Sequence, residues 1–258
     1  MFATCGLRIG VRLNAHGLLE RLLPHLPPLR KPSTSVKVER LYSIRAGGPA
    51  HRNIRPYNIL YVDSEQFEKS HSLDDIFDIL SDDLDMYVAE NARRRLFIHA
   101  GVVGWRGRAI LFPGRSMSGK SALVKKFVDA GADYYSDEYA VLDFRGMVHP
   151  YCRPISLRSV SGGPPHRTFS VPQSAARPLP IGLIALSCYA PGGKWRPRKL
   201  SHGRGVLALL ENSMSARRQP QVALSILSRL TAQVPVLKGI RGEAGEMINA
   251  LLNSPFLA

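Results

Sequence analysis

Residues 114–121 read GRSMSGKS, and the reading of this stretch decides the fold class. The spacing G-x-x-x-x-G-K-[ST] is that of a phosphate loop. In such a loop, backbone N–H groups and a helix N-terminus surround a phosphate, a lysine reaches the β and γ oxygens, and a Ser or Thr hydroxyl ligates Mg²⁺. Here those roles fall on Gly114, Arg115, Ser116, Met117, Ser118, Gly119, Lys120 and Ser121, with Ala122 following in the helix. Ser116 and Met117 stand where many such loops carry another glycine. A side chain at a position of positive φ costs roughly 1 kcal/mol or more, so Met117 is a liability for nucleotide affinity if its position needs that conformation.

The flanking residues supply the context that the loop needs. Residues 108–114, RAILFPG, read as a strand that feeds into it, and residues 121–131, SALVKKFVDAG, read as a helix leaving it. Leu123, Val124, Phe127 and Val128 share one face of that helix, and Gly131 is placed to end it. LFIHAGVV (Leu96 to Val103) and the loop strand flank the turn-rich GWRG, which predicts a hairpin.

Phosphoryl transfer also needs a carboxylate to organise metal and a group to orient or deprotonate the nucleophile. Asp137 and Glu138 are adjacent acids at a break in the strand DYYSDEYAVLDF (Asp133 to Phe144), 17 and 18 positions after Lys120. Neighbouring side chains in extended chain point to opposite sides, so a bend or bulge is needed to bring both to one phosphate. His99 lies in an apolar strand beside the loop strand, where it could hold a carboxylate or neutralise developing charge.

Upstream, GLRIGVRL (Gly6 to Leu13) alternates as a half-buried strand, and Ala15 to Leu26 has helical spacing running into prolines. VKVERLYSI (Val36 to Ile44) and YNILYVD (Tyr57 to Asp63) predict a small sheet. A long helix starts at Ser72 as N-cap with acids in its first turn, and Ile76, Ile79, Leu80, Leu84, Met86 and Tyr87 recur at helical spacing. Residues 1–92 are therefore expected to be a small N-terminal α+β accessory domain, and 93–258 an α/β domain.

Within the second domain, residues 159–179, rich in Ser, Gly and Pro, predict a surface loop. The remainder predicts strands at IGLIALSCYA (Ile181 to Ala190), WRPRKLS and PVLKGI, and helices over Gly205 to Leu210, Gln221 to Val234 and Ala244 to Asn253.

Composition narrows the function classes. A formal charge of +15 favours any polyanion near the surface, but the arginine clusters lack interleaved aromatic stacking platforms, which disfavours dedicated nucleic-acid binding. Three cysteines, odd in number and without a C-x-x-C pair, argue against a disulfide framework or zinc site and fit a reducing compartment. The longest apolar run falls far short of the ~20 residues of a membrane helix, so a cytoplasmic protein without a membrane span is expected.

Taken together, His99, the loop with Lys120 and Ser121, and the Asp137-Glu138 pair at matching spacings make residues 93–158 resemble the HPr kinase/phosphorylase family, and more closely its shorter HPr-kinase-related members. AQVPVLKGI followed by a final helix is similar to the same subgroup. The resemblance implies a P-loop kinase domain of HPr kinase type, a mixed sheet flanked by helices, that uses ATP and Mg²⁺. It also implies that Asp137 is general base for a substrate serine hydroxyl, that Glu138 with Ser121 organises Mg²⁺, and that His99 supports the acids. The family carries a second Asp where this chain has Glu138. SVSGGPPHR stands roughly where the bifunctional enzymes have an acidic, Arg-Gly-containing motif, so phosphorolysis is not expected.

Relatives of the short type are linked to serine phosphorylation of ribosomally made peptides, lasso-peptide precursors included. The expected partners are thus ATP and a peptide or small protein, with an acidic one favoured by the basic surface; a homo-oligomer is compatible with the sequence. Arg153 and Arg158 could contact phosphates or that substrate, or be ordinary surface arginines. Two alternatives share the loop: a nucleotide-binding regulatory or adaptor protein with little turnover, and a kinase of a small-molecule hydroxyl.

Overall fold

The computed structural model describes residues 1–48, 55–115, 118–157, 166–168 and 177–257. The chain divides into two compact units, Met1–Arg93 and Arg94–Ala258. Both are mixed α/β, each built on its own mixed sheet, with six α-helices in all among the described residues.

The first unit runs β1 (Phe2–Thr4), β2 (Leu7–Leu13), α1 (Leu18–Leu22), β3 (Lys31–Pro32), β4 (Arg40–Arg45), β5 (Asn58–Val62), β6 (Glu65–Ser70) and α2 (Leu73–Asn91). Its sheet order is β3-β1-β2-β4-β5-β6, with only the β2–β4 pair parallel. The helix expected over Ala15 to Leu26 is shorter: α1 gives way to a 3-10 turn at Leu23–His25, where Pro24 cannot donate the next helical hydrogen bond. The strand expected from Val36 begins at Arg40.

Strand β6 has no apolar alternation and is exposed along nearly its whole length. A two-residue turn, with Asp63 at φ 54°, folds it back onto β5. Ser72 caps α2 as expected, its side chain accepting from the Asp75 N–H. The helix buries Ile76, Phe77, Leu80 and Leu84, but Met86 is 51% exposed. Met86 lies roughly 200° around the helix from Leu84, on the solvent side.

The second unit opens with β7 (Leu96–Trp105) and β8 (Arg108–Pro113), the expected hairpin. Its turn residues Arg106 and Gly107 both have positive φ, 48° and 77°, the twist that a two-residue hairpin requires. Then come α3 (Lys120–Asp129), β9 (Asp133–Ser136), β10 (Tyr139–Leu142), β11 (Met147–His149), β12 (Ile155–Leu157), β13 (His166–Thr168), β14 (Leu179–Tyr189), β15 (Arg198–Lys199), α4 (His202–Leu210), α5 (Pro220–Gln233), β16 (Val236–Arg241) and α6 (Ala244–Leu252).

The large sheet has the order β11-β10-β7-β8-β14-β16-β15, with β9 also on β7 and β11 also paired to β14. Strands β8, β14 and β16 are mutually parallel. Along β8, Ala109 and Leu111 pack into one core with α4 and α5 residues such as Leu209, Ile226 and Leu227. Ile110 and Phe112 pack into the other with Leu123, Val124 and Phe127 of α3 and Met247, Ile248 and Leu251 of α6. The run AILF is apolar without interruption because helices cover both faces of its strand.

Of the segment expected as a loop, 159–165 and 169–176 lie outside the described residues, as do Ser116, Met117 and Arg158. The described remainder includes β13, which pairs with β12. Only Arg198 and Lys199 of WRPRKLS pair as strand.

Candidate functional site

Strand β8 ends at Pro113, and the chain leaves the sheet at Gly114, whose N–H donates to the His99 carbonyl at 3.1 Å. A Cβ on Gly114 would sit 2.6 Å from Ser118 Oγ and 3.2 Å from Ser118 Cβ, so a larger residue there would displace the Ser118 side chain. Gly119 is left-handed at φ 81°, and a Cβ there would collide with the Arg241 guanidinium. Helix α3 begins at Lys120, so the described part of the loop opens a helix as the sequence predicts.

Lys120 is buried and donates from Nζ to the Arg115 carbonyl at 3.0 Å. Burial pulls its ammonium below the usual lysine range, against the opposing attraction of Glu138 and then Asp137. Both acids are therefore close enough to act on the lysine. Gly101 of β7 makes room for this arrangement: a Cβ there would meet Val124 Cγ2 at 2.7 Å and Lys120 Cβ at 3.5 Å.

The acids are placed by a bulge. Strand β9 pairs Tyr134 with Val103 and Ser136 with Val102, which leaves Tyr135 as the extra residue. Ser136 Oγ then accepts from the N–H groups of Glu138 and Tyr139, at 3.2 and 3.0 Å, and shapes the break before β10. Asp137 is 7% exposed, and Ser121 Oγ donates to its Oδ2 at 2.8 Å. The Tyr134 hydroxyl lies 3.0 Å from Asp137 Oδ1 and 2.7 Å from the Arg153 carbonyl, and burial holds it protonated. Glu138 is exposed.

His99 is half-buried opposite Tyr139. Burial, and then the Lys120 charge, depress it to about 4 from 6.5, so it is neutral at pH 7. Protonation is thus easier in the unfolded chain, and the resulting stability is fully present above about pH 6.5 and lost as pH falls through about 4. Replacing His99 with Gln is expected to flatten the slope of urea midpoint against pH across that window. An unchanged slope would place the acid sensitivity elsewhere.

The structure thus brings Gly114, Ser118, Gly119, Lys120, Ser121, Asp137 and Glu138 to one end of β8, with His99 in range of Lys120. Arg115 contributes its carbonyl, and Ala122 is an exposed first-turn residue of α3. Ser116 and Met117 fall outside the described residues.

Sequence reasoning missed Arg241. It is 4% exposed, and its Nη2 donates to the carbonyls of Ser118 at 3.1 Å and Gly119 at 3.4 Å. No local motif marks it, since it reaches the loop only because β16 runs parallel to β14 and β14 to β8. Tyr134 was also missed; its spacing to Asp137 is meaningful only once the bulge is known.

Among the described residues, no three His, Cys, Asp or Glu side chains group as metal ligands. Ser121 and Asp137 still fit Mg²⁺, which takes few oxygens from a protein and fills its remaining positions with phosphate and water. No described helix is long and apolar enough to cross a membrane. No protein-family model matches the chain, and comparison with curated proteins gives no significant match.

Proposed function

We propose that residues 94–258 form a P-loop kinase domain of HPr kinase type that transfers the γ-phosphoryl group of ATP to a serine hydroxyl of a peptide or small protein. The observation that carries this is the Ser121–Asp137 hydrogen bond beside buried Lys120, with a second, exposed carboxylate on the next residue. A helix start with a merely solvated lysine would give neither the buried lysine nor the hydrogen bond from the helix to a buried carboxylate.

The geometry also favours a division of labour between the acids. Asp137, tied to Ser121 and Tyr134, is the fixed carboxylate suited to organising Mg²⁺ with the Ser121 hydroxyl. Mg²⁺ held by Asp137 and the Ser121 hydroxyl would supply positive charge that offsets the charge developing on the transferred phosphoryl group. Glu138 is exposed, where a substrate hydroxyl can reach it, and it lies near Lys120, so it suits the base. The serine oxygen attacks the γ-phosphorus, the bond to the β–γ bridging oxygen breaks, and the serine proton passes to Glu138. Lys120 leaves the Arg115 carbonyl for the phosphate oxygens. His99, neutral and beside Lys120, adds no competing positive charge. The net charge of +15 favours an acidic substrate.

Calorimetric titration with ATP in the presence of Mg²⁺ tests the nucleotide half of this proposal. Saturable binding near one equivalent is expected, and an absence of binding at millimolar ATP would overturn it.

A further inference from the structure

The parallel strands β8, β14 and β16 end on one edge of the sheet, and β8 ends in the phosphate loop. At the ends of the other two, Tyr189 and Arg241 are register partners. The Arg241 guanidinium carbon lies 5.3 Å from the centroid of the Tyr189 ring, while its Nη2 holds the loop carbonyls of Ser118 and Gly119. The Tyr189 hydroxyl donates to Glu243 Oε1 at 3.3 Å. The residue is nonetheless 48% exposed. Tyr189 is thus a flat apolar surface fixed at two points, beside the loop, with about half of its area open.

Arg241 itself calls for an explanation. Its Nε is buried without a hydrogen-bond partner among the described residues, an arrangement that costs stability and that folds keep where the group's position matters. Among the described residues, its guanidinium donates to the loop carbonyls of Ser118 and Gly119 and to the adjacent Gly242 carbonyl, and it lies over Tyr189, with Glu243 also attracting its charge. The sheet order adds direction. Asp137 and Glu138 leave from strands on the β7 side of β8, whereas Tyr189 and Arg241 end strands on the β14 side. A nucleotide with its phosphates on the loop and its γ-phosphate toward the acids extends its nucleoside over the ends of β14 and β16, the edge where open α/β sheets bind such ligands.

We infer that Tyr189 is the stacking platform for the nucleotide base and that Arg241 is the positioning residue that ties this platform to the phosphate loop. The inference rests on the nucleotide site proposed above. Base stacking on an aromatic ring tolerates any base, because every base has a π face; specificity for one base is not implied.

The test titrates wild type, Tyr189→Ala and Tyr189→Phe with ATP and, separately, with inorganic tripolyphosphate, both in Mg²⁺. Tyr189→Ala is expected to weaken ATP about tenfold or more while leaving tripolyphosphate within about twofold, and Tyr189→Phe to retain ATP, as loss of one stacking contact demands. Unchanged ATP binding in Tyr189→Ala would overturn the base platform and leave the phosphate loop intact. Equal weakening of both ligands would also overturn it, by making Tyr189 a support for the loop alone. A wild-type protein that binds neither ligand would remove the nucleotide site and the platform together.

Discussion

Lys120→Ala is expected to lower the rate of phosphoryl transfer by on the order of a hundred- to a thousandfold, the cost of removing one preorganised charge from a transition state. The lysine is buried against its own loop, with its ammonium already destabilised by burial. On the proposed function, its transfer from the Arg115 carbonyl to phosphate oxygens would release a charge that the resting site holds at a cost. The fold should survive, because Leu123, Val124 and Phe127 of α3 pack independently of the Lys120 head group. Single-turnover transfer from γ-labelled ATP measures the rate, and circular dichroism with a thermal melt checks the fold. Transfer at the wild-type rate in a folded variant would remove Lys120 from the site.

The second large effect separates the two acids. Glu138→Gln is expected to lower kcat by roughly a hundred- to ten-thousandfold with little change in the apparent Mg²⁺ requirement, as loss of a general base does. Asp137→Asn is expected to raise the Mg²⁺ concentration needed for half-maximal rate, because its carboxylate holds the Ser121 hydroxyl. The reverse pattern, with kcat lost in Asp137→Asn and the Mg²⁺ requirement shifted in Glu138→Gln, would restore the assignment that the family resemblance implies. Rate measured against Mg²⁺ concentration at saturating ATP distinguishes the two.

Much of the frame around the loop was legible because it rests on local chemistry. Two apolar runs flanking the GWRG turn foretold the β7–β8 hairpin, Ser72 foretold the start of α2, and Gly131, at φ 95°, ends α3 with the Ala132 N–H bonding back to the Phe127 carbonyl. The need for a bend or bulge at the acids followed from strand geometry alone, and Tyr135 supplies a bulge.

What stayed hidden depends on contacts distant in sequence. Strand β6 is exposed and held by pairing to β5, so its residues carry no periodic signal. The partner of Ser121 could have been either acid until the break after Ser136 was in place. Arg241 is 121 residues from Lys120, and only the parallel order of β8, β14 and β16 brings it to the loop.

The most direct measurement of the central proposal is transfer itself. The protein is incubated with γ-labelled ATP, Mg²⁺ and a panel of acidic serine-containing peptides, including those encoded beside its gene, and label is followed into phosphoserine. Label in a peptide with wild type, absent with Lys120→Ala and with Glu138→Gln, is the expected result. ATP that binds and stays intact with every peptide, or label that appears equally with Lys120→Ala, would contradict a serine kinase built on this loop.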